Sequence, residues 1–133
     1  MNLQEQKVEL QIQKGIRQAE DDLVLWIQEA LDTTKYGNLE ESQFRNLVRV
    51  ADTTDSAEVI KNFIRYQVGR DKKWGRGKGS LAERIIQDID GNIKKIAQSI
   101  AESSQGELKQ VWLELIRRYL GYGSRHLKYL KDG

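Results

Sequence analysis

The sequence predicts an all-α protein, and three observations lead there. Proline is absent from all 133 residues, where average usage would supply about six or seven. It is the residue that an interior helical turn tolerates least. Apolar residues recur at steps of three and four along most of the chain, which is the spacing of one helix face. Nowhere do several residues alternate strictly with period two, so no strand is expected. The architecture expected is a bundle of five to six helices in one domain, residues 1–133. It is elongated if the N-terminal helix runs unbroken.

That first helix is expected over residues 3–32, from Val8, Ile12, Ile16, Ala19, Leu23, Trp26, Ile27, Ala30 and Leu31. At 1.5 Å per residue it is about 45 Å long. A compact chain of this length is only about 36 Å across, so either the helix breaks, with Gly15 the candidate bend, or the molecule is elongated. Thr33, Thr34 and Gly37 end it. Asn38, with Glu41 three residues on, resembles a capping box opening a second helix over 39–51, with Phe44, Leu47, Val48 and Ala51 inward. The run DTTDS at 52–56 is a turn, and Asp55 or Ser56 caps a third helix. Its stripe is Val59, Ile60, Phe63, Ile64 and Val68, with Gly69 placed for a left-handed C-terminal cap. Residues 69–79, GRDKKWGRGKG, are irregular, with four Gly and five Lys or Arg in eleven. Ser80 with Glu83 is the clearest capping box. It opens a helix through Ile85, Ile86, Ile89, Ile93, Ile96, Ala97 and Ile100 that Asp90-Gly91-Asn92 can bend or split. Ser104 with Glu107 is expected to start the last helix, carried by Leu108, Val111, Trp112, Leu115, Ile116, Tyr119 and Leu120. Gly121 and Gly123 loosen it before the tail SRHLKYLKDG.

Composition excludes several classes of function. Zero Cys removes disulfides, thiolate nucleophiles and zinc knuckles, and fits a reducing compartment. A charged fraction of 32%, a mean hydropathy of −0.68 and no apolar run near 18 residues argue against a membrane protein. The start MNLQEQKVELQIQ lacks the layout of a signal peptide, so a cytoplasmic location is expected. No enzyme and no cofactor are expected either. His126 is the single histidine, and it stands in a basic tail between Arg125 and Lys128. Asp88-x-Asp90-Gly91-Asn92 has its Gly at the fourth position of a calcium loop where the sixth is needed, and Ser99 where the bidentate Glu belongs. The pairs Asp21-Asp22 and Glu40-Glu41 diverge by about 100° around their helices, so neither pair converges on a substrate. WGRGKGS lacks the Lys before Ser of a P-loop and follows a helix. The backbone amides at the start of the Ser80 helix remain a candidate anion site.

The positive signal is charge. A net +2 conceals a split: residues 1–64 hold 7 Lys/Arg against 12 Asp/Glu, and residues 65–133 hold 15 against 8. Arg65, Arg70, Lys72, Lys73, Arg76 and Lys78 cluster against one acid, Asp71, with Trp74 among them. Lys and Arg neutralise phosphates and release counterions, and an exposed Trp stacks on an unpaired base. The candidate is therefore a nucleic-acid-binding loop; the plainer reading is a solvated loop whose Trp folds back onto the core. Arg45 and Arg49 lie one helical turn apart and can grip successive phosphates. A second basic set, Arg117, Arg118, Arg125, Lys128 and Lys131, stands near the C-terminus.

The order of segments also resembles a known family. Leu39-Glu40-Glu41-Ser42-Gln43-Phe44-Arg45-Asn46-Leu47 is similar to the threonine/serine–x–glutamine–isoleucine–arginine helix of the small, Csm-type subunit of type III CRISPR–Cas effector complexes. Phe63-Ile64-Arg65-Tyr66-Gln67-Val68-Gly69-Arg70 resembles that family's helix ending in tyrosine–x–x–glycine–arginine. Trp112-Leu113-Glu114-Leu115-Ile116 with Tyr119-Leu120-Gly121-Tyr122, and the tail Gly123 to Tyr129, resemble its terminal helix. The resemblance spans roughly residues 36–130; the insert WGRGKG and the length of the N-terminal helix depart from it. It implies a non-catalytic subunit of a ribonucleoprotein filament that contacts guide RNA, target RNA or both through phosphates, with Arg45 and Arg70 in the RNA groove. Phosphate contacts carry no sequence information, which suits a complex whose guide reads the bases. The loop residues Lys72, Lys73, Arg76 and Lys78 are added on charge alone. The alternative is a helical adaptor that self-associates through the stripe Val8, Ile12, Ile16, Leu23 and Ile27 within residues 1–35, and binds an acidic partner with its basic half.

Overall fold

A computed structural model describes residues 2–132, and these are helical with no strand among them. Six α-helices occur: α1 Leu3–Thr33, α2 Glu41–Thr53, α3 Ala57–Arg70, α4 Leu81–Asp88, α5 Lys94–Ser104 and α6 Leu108–Asp132. A π-helical turn, Ile89–Ile93, joins α4 to α5, so the chain folds as five rods. α1 is continuous through Gly15, and its 31 residues measure about 46 Å. The molecule is therefore elongated.

α6 packs on α1, α2 and α5, while α3 packs on α2 and α4. The core comprises Ile12, Ile16, Leu23 and Ile27 of α1, Phe44 and Leu47 of α2, Ile60 and Ile64 of α3, Ile85 of α4, and Val111, Leu115, Ile116, Tyr119 and Leu120 of α6. The stripe on which the adaptor alternative depends is thus covered by the chain's own helices, and Val8 packs at its margin. This corrects the expectation of a self-association surface there. Burying each such aliphatic side chain stabilises the fold by about 1.5–3 kcal/mol, so the stripe is needed inside the monomer.

Four local expectations change. α2 begins two residues later than expected, with Glu40 rather than Asn38 at the N-cap. Gln43 Oε1 accepts from the Glu40 N–H at 3.1 Å, and the Gln43 N–H donates back to the Glu40 carbonyl at 3.0 Å. Leu39 and Phe44, both buried, occupy the two positions of a hydrophobic staple around that cap. Gly69 lies inside α3, whose C-cap is the extended Asp71. Ser104 closes α5 instead of opening α6: its Oγ donates to the Ile100 carbonyl at 2.6 Å and accepts from the Gly106 N–H at 3.1 Å. Gly121 and Gly123 do not loosen α6, which continues to Asp132. At Gly123 a Cβ would stand 2.7 Å from both Ile27 and Phe44, so its missing side chain is what lets α1 and α2 approach α6.

Of the two residues offered for the α3 cap, Ser56 serves, and Ser80 caps α4 as expected, each accepting from the N–H three residues on. The π-turn carries the Asp90-Gly91-Asn92 segment. The carbonyl of Ile89 accepts from Trp112 Nε1 at 2.8 Å, and Lys94 lies 4.9 Å over the same indole ring. Lys61 of α3 reaches the turn, bonded to Asp90 at 2.8 Å and Glu58 at 2.7 Å. Burial pulls its ammonium pKa down, and these two carboxylates outweigh it, leaving the group above its ordinary value.

Candidate nucleic-acid interface

The glycine-rich segment between α3 and α4 is an ordered clasp. Two connections zip together: Lys35 N–H donates to the Gly79 carbonyl (2.9 Å), Gly37 N–H to Lys73 (3.0 Å), and Leu81 N–H to Lys35 (3.2 Å). Gly75, Gly77 and Gly79 all adopt positive φ, a region that L side chains rarely enter. Gly75 (φ +77°) also lies where a Cβ would run into the Lys35 carbonyl oxygen. Asp71 Oδ1 closes the start of the segment by accepting from the Lys73 N–H at 2.8 Å.

The clasp is anchored by Trp74, which is 0% exposed and stacks on Phe44 with ring centroids 5.6 Å apart. Its Nε1 has no hydrogen-bond partner among the described residues, so packing rather than a polar bond fixes the ring. Trp74 is therefore a core residue. Its expected role as a base-stacking platform is corrected, because a ring with no accessible face cannot meet a nucleobase.

The N-terminus of α4 is closed as well. Its free amides are already engaged: Leu81 N–H by Lys35, Ala82 N–H by the Trp74 carbonyl at 3.1 Å, and Glu83 N–H by Ser80 Oγ at 3.1 Å. The anion site expected there is filled by the protein's own oxygens.

The expected cations fall on both sides of α3. Arg49 of α2 and Arg70 of α3 line one groove of about 440 Å³, together with Asn46, Tyr66, Phe63 and Gln67. No acidic side chain lines it. Arg65 of α3 and Arg76 of the clasp line a second groove of about 610 Å³ with Val68 and Ile86, where Glu83 is also present. Lys72 and Lys78 are exposed on the clasp. Among the described residues, Arg49, Arg65, Arg70, Lys72, Arg76 and Lys78 form no ion pair. Arg45, one turn before Arg49, makes only a 4.0 Å contact with Glu41, and Lys73 reaches Glu40 at 3.4 Å.

The second basic set serves the fold. Arg117 donates to the Ala51 and Thr54 carbonyls at 2.8 and 2.9 Å, closing the C-terminus of α2. Arg118 pairs with Glu20 at 3.0 Å and Glu114 at 3.2 Å. Lys128 pairs with Asp132 at 2.8 Å, and Lys131 bonds Asn38 at 2.9 Å. His126 Nε2 meets Asp32 at 2.8 Å, a surface tie between α6 and α1. Only Arg125 of this set lines a groove, between α1 and α6, without an ion pair among the described residues.

Sequence reading passed over two features. Tyr66 carries no charge to mark it, yet it is 58% exposed and lines a groove with Arg49 and Arg70. Its place on the helix face opposite buried Ile60 and Ile64 was available from periodicity. The other is a buried polar cluster: Asp88 accepts from Arg84 Nε at 3.1 Å and from the Tyr119 hydroxyl at 2.6 Å. Burial raises the Asp88 carboxyl above its ordinary pKa in spite of both donors. The same burial drives Tyr119 well above its ordinary value.

No helix among the described residues is long and apolar enough to cross a membrane. Comparison with family models, with curated proteins and with solved structures gives no match to this chain.

Proposed function

We propose that this chain is a non-catalytic, RNA-backbone-binding structural subunit of a type III CRISPR interference ribonucleoprotein of the cytoplasm. It takes no cofactor, and its partners are guide RNA, target RNA or both, together with neighbouring subunits of the complex. One observation carries the RNA-binding part. Six exposed cations on α2, α3 and the clasp, Arg49, Arg65, Arg70, Lys72, Arg76 and Lys78, have no ion pair among the described residues. Unpaired cations held on rigid elements are what a polyphosphate backbone requires. The assignment to this kind of ribonucleoprotein is supported by the resemblance of residues 39–47, 63–70 and 112–129 to the Csm-type small subunit.

Fluorescence anisotropy with two labelled RNAs of unrelated sequence tests the binding. Affinity falls steeply between about 50 and 200 mM salt and is the same for both RNAs. Replacing Arg70, Lys72, Lys73 and Arg76 together with Glu abolishes it at an unchanged melting temperature. Salt-insensitive binding, or a strong preference for one sequence, sinks the reading. Co-purification tests the assembly: tagged chain expressed in its native host brings down discrete small RNAs and larger repeat-containing subunits, and a purification free of both sinks that part.

A further inference from the structure

Tyr66 lines the α2–α3 groove together with Arg49 and Arg70, and its surroundings determine what it can hold. Phe63 backs it, with ring centroids 6.3 Å apart and planes inclined by 41°. Tyr66 is 58% exposed even so. Val50 and Phe63 supply apolar lining, Asn46 and Gln67 supply amides, and Arg49 and Arg70 supply the only charges. The Arg49 guanidinium is steadied by Asn46 Oδ1 at 3.2 Å. The volume, about 440 Å³, lies within the range of about 300–1,000 Å³ typical of small-ligand sites.

Two other places invite comparison and are weaker. Tyr129 is also exposed, but it stacks on His126, which is bonded to Asp32, so an acid stands beside it. The Arg65–Arg76 groove has no aromatic side chain and contains Glu83, which is bonded to Gln87 at 2.9 Å.

We propose that the α2–α3 groove takes an unpaired RNA nucleotide, its base stacked on Tyr66 and the adjoining phosphates on Arg49 and Arg70. This rests on the RNA-binding reading above and adds which strand form the site selects. Phosphates alone are offered equally by single strands and duplexes. An aromatic ring in the same groove as the phosphate contacts separates them, because in a duplex each base face is covered by its stacked neighbours and only base edges reach the grooves. Stacking is tolerant of base identity, since every base has a π face. The site thus discriminates structure and leaves sequence to a guide.

The full-length protein is tested with a labelled single-stranded RNA and with the same sequence as a blunt duplex. Tyr66→Ala weakens the single strand about tenfold and leaves the duplex unchanged, while Tyr66→Phe, which keeps the ring, binds both like the parent. A 2-aminopurine base in the single strand is quenched by the parent and by Tyr66→Phe but not by Tyr66→Ala. Equal weakening of single strand and duplex by Tyr66→Ala overturns the inference, as does a Tyr66→Phe variant as weak as Tyr66→Ala. Both outcomes leave the RNA-binding reading intact, provided Arg49→Glu with Arg70→Glu still weakens both RNAs. A parent that binds neither RNA overturns the reading and the inference together.

Discussion

The cations of α6 and those around α3 differ in what they touch, though the sequence presents both as basic stretches. Arg117, Arg118, Lys128 and Lys131 each meet an oxygen of the same chain, and two of those oxygens are carbonyls at the C-terminal end of α2, those of Ala51 and the cap residue Thr54. Arg49, Arg65, Arg70, Lys72, Arg76 and Lys78 meet no carboxylate among the described residues. Net charge cannot distinguish the two groups, because it counts a cation whether or not a partner neutralises it. Partnering can. Arg117 and Arg118 fasten α6 to α2 and α1, Lys128 and Lys131 are engaged at its exposed end, and the second group is available to a ligand.

The contrast can be broken most sharply at Trp74, the aromatic inside the available group. Trp74→Ala lowers stability by about 3–5 kcal/mol, read by urea unfolding, because it empties the space against Phe44. If the variant melts like the parent and loses only RNA affinity, the residue belongs with the ligand-binding group after all. Next comes Arg117→Ala, which removes two charge-assisted bonds from partly buried carbonyls and costs about 1.5–3 kcal/mol. Its RNA affinity at a temperature where it is folded equals the parent's; a selective loss of affinity would move α6 into the binding surface. Arg49→Ala with Arg70→Ala does the reverse. Surface changes of this kind alter stability by no more than about 0.5 kcal/mol, while the salt slope for single-stranded RNA falls by about 1.4. An unchanged slope would mean that neither arginine meets a phosphate.

The smallest effect is a pH dependence at Asp88. Its folded pKa lies above the ordinary value, so its contribution is full below the ordinary carboxylate range and is lost as pH rises through the folded value. Urea unfolding from about pH 3 to 7 compares the parent with Asp88→Asn, which carries no such titration. The parent's stability relative to the variant declines as pH rises, and a rise would reverse the assignment of burial as the dominant cause.

Legibility in the sequence follows the range of the interactions that decide each feature. α1 is readable from Val8 to Leu31 because its core face repeats without interruption. The caps at Ser56 and Ser80 are readable because donor and acceptor lie three residues apart. The start of α2 is not: Asn38-x-x-Glu41 and Glu40-x-x-Gln43 are both plausible locally, and burial of Leu39 with Phe44 selects the second. The basic residues are visible in the sequence as charge, but which of them the fold partners is not. Arg117 and Thr54 are 63 positions apart, and Lys61 and Asp90 are 29 apart. The choice between a ligand-facing and a core-facing Trp74 is illegible for the same reason, since Phe44, the ring it stacks on, is supplied by α2, thirty positions earlier.

The π-turn at Ile89–Ile93 has a geometric consequence for the rod that contains it. Leu81, Ile85, Ile89, Ile93, Ala97 and Ala101 are all buried, and they are spaced by four throughout. In an unbroken α-helix each step of four overshoots a full circle by about 40°, so five steps would carry the stripe past the far side of the rod. The wider π-turn takes up part of that rotation and keeps both halves against α1. Residue number in this short segment therefore sets the phase of everything after it. A one-residue insertion here would turn α5 by about 100° relative to α4 and swing Ala97 and Ile100 toward water, whereas removing one residue narrows the π-turn to an ordinary α-turn. An added residue at this point is consequently far less tolerable than a substitution.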